Sequence, residues 1–141
     1  RKKYSTNETI NMILSSYETE LQENDIDFHC QVRVPRELPI SDVELTSILS
    51  NAMENAIHAA ASIEDPAQRL IELTMNEAGG KFLISLENTC SNAPHFAGGL
   101  PVTSEPGHGF GTQSIDYTVR KLNGNCQFSA SDGKFILQIV L

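Results

Sequence analysis

The sequence predicts an α+β fold: a two-layer α/β sandwich in which one mixed, mostly antiparallel sheet is covered on one face by about three helices. Three observations carry this. Two glycine-centred turns, Gly79-Gly80 and Asp132-Gly133, each sit between runs of alternating apolar residues and read as hairpins. Three stretches carry apolar residues at helical spacing, and they are separated along the chain by the strands. Strand pairs and helices in this order suit one sheet with its apolar face buried under helices.

The elements follow in order. Ile10, Ile13, Leu14, Tyr17 and Leu21 predict a helix over residues 7–23, with Ser5, Thr6 or Asn7 available as a cap. Residues 26–34 alternate, with Ile26, Phe28, Cys30, Val32 and Val34 on one side and Asp27, His29, Gln31 and Arg33 on the other, as in a half-buried strand. Ser41-Asp42-Val43-Glu44 reads as a capping box and opens a long helix that runs to Ala61 or Ser62. Asp65-Pro66 breaks the chain, and residues 69–76 and the Phe82, Ile84, Leu86 stretch form the first hairpin. Residues 88–110 hold Pro94, Pro101, Pro106 and a run of glycines without periodicity, which predicts a functional loop, a lid. Thr112–Leu122 returns to helix, ended by Asn123-Gly124. Strands at 125–130 and 134–140 close the chain.

The 141 residues make one domain, 1–141. With 40% hydrophobic and 20% charged residues the chain is not of the disordered class. Ten Lys+Arg stand against eighteen Asp+Glu, for a net charge of −8, and no basic footprint for nucleic acid exists. No apolar run is long enough to span a bilayer, so no direct membrane contact is expected. Three cysteines, Cys30, Cys90 and Cys126, have no Cys-x-x-Cys spacing, which suits a reduced, cytoplasmic compartment. The opening Arg1-Lys2-Lys3 reads as part of a longer chain.

Two features carry chemistry. On the long helix, Asn51, Glu54, Asn55 and His58 follow i, i+3, i+4, i+7 and form one stripe. Asparagine has poor helix propensity, so two amides one turn apart in mid-helix call for a reason. An amide oxygen is a neutral, hard ligand suited to Mg²⁺. The second feature is Gly107-His108-Gly109-Phe110-Gly111, directly before a helix. Glycines let backbone approach a ligand, and free N–H groups at a helix start attract anions. It is neither a Walker A loop, lacking Gly-Lys-Ser/Thr, nor a Rossmann fingerprint, lacking a strand leading into it.

Together, Asn51-Ala52-Met53-Glu54-Asn55-Ala56 on a helix, a strand ending in Asn88, and Gly-x-Gly-x-Gly before a second helix resemble the Bergerat ATP-binding fold of the GHKL superfamily. Within it the chain looks like the catalytic ATP-binding domain of a sensor histidine kinase, most like the peptide-sensing, quorum-sensing group. The resemblance implies that Asn55 ligates Mg²⁺. Asn51 stands where hydrolytic members carry a water-activating glutamate, and His58 where many kinases have a phosphate-binding lysine. Gly107, Gly109 and Gly111 match the glycine box over the phosphates, flanked by His108, Phe110 and Thr112. Most histidine kinases have Asp-x-Gly-x-Gly at the strand end; here it is Asn88-Thr89-Cys90-Ser91-Asn92. Asn88 can still accept a hydrogen bond from the adenine amine.

The implied set is therefore Asn51 and Asn55 as catalytic residues, Asn55 as metal ligand, and these two with His58, Asn88 and residues 107–112 as ATP contacts. Residues 88–110 become the ATP lid, and 1–5 the linker from an upstream dimerisation and phosphoacceptor domain. The implied activity is transfer of the γ-phosphoryl group of Mg·ATP to a histidine on that domain, then to a response regulator, in the cytoplasmic portion of a membrane-anchored sensor. Two other readings remain open: a degenerate pocket serving as a protein-interaction module, and a Bergerat-fold protein-serine kinase. No Lys or Arg lies between Lys81 and Arg120, so neutralising a polyanionic nucleotide falls to metal, backbone N–H groups and a helix start.

Overall fold

The computed structural model describes residues 3–102 and 110–141, with the backbone alone for Phe110. Four helices occur among these residues: α1 (Glu8–Ser15), α2 (Glu18–Glu23), α3 (Asp42–Ala61) and α4 (Phe110–Lys121). Five strands, β1 (Asp27–Arg33), β2 (Leu70–Ala78), β3 (Lys81–Thr89), β6 (Asn125–Ser131) and β7 (Lys134–Val140), build one sheet in the order β1-β2-β3-β7-β6. Only β1 is parallel to its neighbour, β2; the other pairs are antiparallel. The parallel pair needs a crossover, and α3 supplies it. Two short strands, β4 (His95–Ala97) and β5 (Leu100–Val102), pair as a separate ribbon.

The sheet is amphipathic in the manner of a half-covered antiparallel sheet. Ile71, Leu73 and Met75 of β2, Phe82, Ile84 and Leu86 of β3, and Phe135, Leu137 and Ile139 of β7 are buried on one face. The alternate positions are more exposed. α3 answers with Leu45, Ile48, Leu49, Ala52, Met53, Ala56, Ile57 and Ala60, the i, i+3, i+4, i+7 pattern. Its alanines let the helix approach the sheet closely. The cap at its start is the one expected: Ser41 Oγ accepts from Glu44 N at 3.1 Å and donates to Glu44 Oε1 at 2.8 Å.

The predicted helix over 7–23 is two helices, broken at Ser16-Tyr17. The Ser16 hydroxyl donates to Ile13 O at 2.5 Å, a local bond that competes with helix continuation. Tyr17 then turns its hydroxyl to the Ser50 carbonyl of α3 at 3.3 Å. α1 holds a buried asparagine whose partners the sequence does not reveal. Asn11 Oδ1 accepts from Tyr4 N (2.8 Å) and Ser5 N (2.9 Å), and its Nδ2 donates to Ser5 O (2.8 Å), binding the entering chain to the helix. Asn7 is the cap, accepting from Ile10 N at 3.0 Å.

Three two-residue turns share one geometry. Gly79-Gly80 (φ 58° and 78°), Gly98-Gly99 (61° and 82°) and Asp132-Gly133 (51° and 75°) all have positive φ at both positions, as type I′ hairpins require. The middle one corrects the reading of 88–110 as a stretch without regular structure. Residues 88–89 continue β3, and 95–102 form the β4–β5 hairpin; residues 103–109 of the expected lid lie outside the described residues. α4 ends in a Schellman motif. Asn123 takes the left-handed position (φ 60°), its N donates to Arg120 O at 2.9 Å, and Gly124 N donates to Val119 O at 2.9 Å. Gly124 is needed for space rather than for φ: a Cβ there would lie 2.6 Å from the Val140 carbonyl oxygen and 2.6 Å from Leu141 Cδ2.

Candidate functional site

The α3 stripe predicted from spacing is present. Glu54 and His58 are exposed, while Asn51 and Asn55 are half-buried. The two asparagines have different surroundings. Asn51 Nδ2 donates to Ser47 O, one turn back, at 2.8 Å and makes a long contact of 3.4 Å to Ser114 Oγ on α4. Its Oδ1 faces the first turn of α4, where a Cβ on Gly111 would come within 3.3 Å of it. Asn51 thus joins α3 to α4, and Gly111 allows the close approach. Ser114 was not expected from the sequence; it lies one helical turn past the glycine run, and no spacing rule connects it to residue 51.

Asn55, one turn further along α3, makes no hydrogen bond through its amide among the described residues. It lines a small cavity together with Asn88, Leu86, Ile115, Phe128 and Phe135. Asn88 is 2% exposed, at the end of β3, on the buried face. Its Nδ2, the atom an aspartate would lack, donates to Thr89 O at 3.1 Å, which leaves Oδ1 as the acceptor. The helix and the strand therefore bring two sequence-predicted residues, 55 and 88, to one cavity. Thr112 is buried in the first turn of α4. Gly107, His108 and Gly109 lie outside the described residues, and of Phe110 only the backbone at the start of α4 is described.

Phe128 and Phe135 enter the cavity wall unannounced by the motifs. Phe135 stands opposite Asn88 in the β3–β7 register, and its ring stacks on Phe128 with centroids 5.9 Å apart. The Asp132-Gly133 turn sets the register of β6 against β7; that β7 also pairs with β3, and in what register, was not readable. No Lys or Arg lines this cavity. Among the described residues no cluster of three or more His, Cys, Asp or Glu could hold a metal ion. A second, open groove of about 560 Å³ at the N-terminal end of α3, lined by Lys3, Asn7, Arg36, Glu37 and Asp42 among others, contains none of the motif residues.

A mixed five-stranded sheet under helices, with paired amides on α3 and a buried polar residue ending β3, defines a class. The family model described as the GHKL domain matches residues 40–141, and the chain belongs to that family. The nucleotide-free catalytic domain of histidine kinase ThkA is similar with a TM-score of 0.75 at 17% identity, over 95% of this chain and 90% of that one. A mycobacterial sensor histidine kinase, MprB, gives 0.72 at 18% identity, over 95% and 93%. Full-length ShkA in complex with AMPPNP gives 0.68 at 17% identity, over 92% of this chain but 28% of that one. The fold is that of histidine kinase catalytic domains. No curated protein matches by sequence. The family match begins at residue 40, whereas the structural likeness extends over α1, α2 and β1 as well.

Proposed function

We propose that the domain binds Mg·ATP between α3, the end of β3 and the start of α4, and serves as the phosphoryl-donating half of a histidine kinase. The observation that carries this is the meeting of Asn55 and Asn88 at one cavity, one amide without a hydrogen-bond partner among the described residues and the other with its nitrogen satisfied and its oxygen left to accept. Adenine would enter on the Phe135 side, with its amine donating to Asn88 Oδ1; the cavity is about 10 Å³ in this structure, so its lining must part to admit the base. Asn55 would hold Mg²⁺ through its amide oxygen, and the start of α4 would present the positive end of its helix dipole to phosphate. The bound cation supplies neutralisation of phosphate charge, which this acidic chain does not offer through lysine or arginine.

Asn51 has an amide where a general base would be needed for hydrolysis, and an amide takes no proton from water. That favours transfer over waste of ATP, with catalysis resting on positioning and electrostatics. The acceptor would be a histidine on an upstream dimerisation domain, and a response regulator would follow. Asn88-Thr89-Cys90-Ser91-Asn92, in place of the glycine-bearing box, supports placement near the quorum-sensing kinases. His58, exposed on α3, is a candidate contact for the outer phosphates. The test is radiolabelled ATP with the domain alone and with its full-length chain. Acid-labile label should appear on the full-length protein and not on the domain, and Asn55→Ala should abolish it. Label on the isolated domain, or on the full-length Asn55→Ala variant, would overturn the proposal.

A further inference from the structure

The β4–β5 hairpin is not part of the main sheet, yet it is attached to it at the cavity. Phe96, in the middle of β4, lays its ring on Phe135 with centroids 6.4 Å apart and planes only 9° apart. Phe135 in turn stacks on Phe128, so three rings from β4, β7 and β6 form one aromatic row. Phe135 is 6% exposed and Phe128 9%, whereas Phe96 keeps 40% of its surface in solvent. Phe96 is thus a large apolar ring, only partly buried and stacked on a residue that lines the Asn55–Asn88 cavity.

We infer that Phe96 is a base-contacting residue: its exposed ring, backed by the buried Phe135, is the aromatic surface on which the purine packs, while Asn88 reads the base edge. The inference rests on the nucleotide reading given above and adds an affinity determinant from the lid segment. A flat apolar base buries the exposed part of Phe96, a surface that is otherwise in water. Binding of the base then holds the β4–β5 ribbon through the same contact, before any phosphate contact is made.

The chain contains no tryptophan, so Phe96→Trp installs a sole reporter at the contact. Adenosine, which lacks phosphates, is titrated alongside Mg·ATP by calorimetry into wild type, Phe96→Ala and Phe96→Trp. Phe96→Ala should weaken both ligands by about tenfold, the order of one base–aromatic stack, and Phe96→Trp should retain binding. Tryptophan emission of the variant should change saturably with adenosine alone. If wild type binds Mg·ATP, yet Phe96→Ala binds both ligands as wild type does, or the tryptophan does not respond to adenosine, the inference is wrong and the nucleotide reading stands. If wild type binds neither ligand, the nucleotide reading itself fails.

Discussion

Asn55 and Asn88 differ from their neighbours in what the protein leaves undone for them. Asn11 and Asn7 are saturated by backbone partners and serve the fold, and Asn51 spends its nitrogen on Ser47 and Ser114. Among the described residues Asn88 has a partner for one half of its amide and Asn55 for neither, which is what the proposed ligand roles require. If Asn88 Oδ1 accepts from adenine, Asn88→Ala should weaken ATP by about 0.5–1.5 kcal/mol and leave GTP, which has no amine at that edge position, nearly unchanged. Competition between the two nucleotides checks it; an unaltered preference for ATP refutes the pairing. The cysteines belong to the structural side. Burial, and secondarily Asp116, push the Cys126 thiol up to about 12, against a smaller opposing effect of Arg120. The thiolate is the reactive form, so Cys126 should resist alkylation at pH 8 in the native protein and react once unfolded. Because its folded-state value is raised, this group's contribution to stability is fully present below about 9 and is lost as pH rises towards about 12. Denaturation midpoints across that range measure it, and a flat profile would contradict it.

Individual elements were legible where the signal is local. The α3 cap and stripe, the β2–β3 and β6–β7 hairpins and the end of α4 all follow from short spacings, and each stands where those spacings put it. Two elements were not legible for physical reasons. At the break, Ser16 bonds back to Ile13 and Tyr17 reaches Ser50, 33 residues away, a contact that helical spacing does not signal. The β4–β5 hairpin was hidden because proline and glycine suggested irregular chain, although Gly98-Gly99 is the same turn signal as Gly79-Gly80. β4 has only three residues, too few for alternation to register. At the end of α4 the two-residue stop has divided roles, Asn123 providing the left-handed turn and Gly124 the space. Gly124→Ala should cost about 1–3 kcal/mol, since the added carbon meets backbone that cannot step aside, whereas Asn123→Gly should be tolerated. Urea unfolding of both variants decides; a neutral Gly124→Ala would mean that β7 yields to the methyl group.

At the scale of the whole molecule, the layered fold does what the candidate site needs. α3 crosses from β1 to β2 and so must lie over the sheet, which sets Asn55 above the end of β3, where Asn88 is the last buried residue of the strand. The sequence contained both residues and their motif but not their meeting, because that depends on which strands neighbour β3. The three-ring row was out of reach for a similar reason: Phe128 and Phe135 lie on the β6–β7 hairpin, but Phe96 comes from the separate β4–β5 ribbon, which no local spacing sets against it. Net charge of −8 works against a polyanionic ligand throughout, so the proposed Mg·ATP binding would have to be carried by the cation and by fixed dipoles rather than by the field of the protein. Calorimetric titration of ATP into wild type and Asn55→Ala, each with Mg²⁺ and with EDTA, tests this most directly. The account predicts saturable binding by wild type with Mg²⁺ and a large loss in the other three mixtures; equal affinity in all four, or no binding by wild type with Mg²⁺, would contradict it.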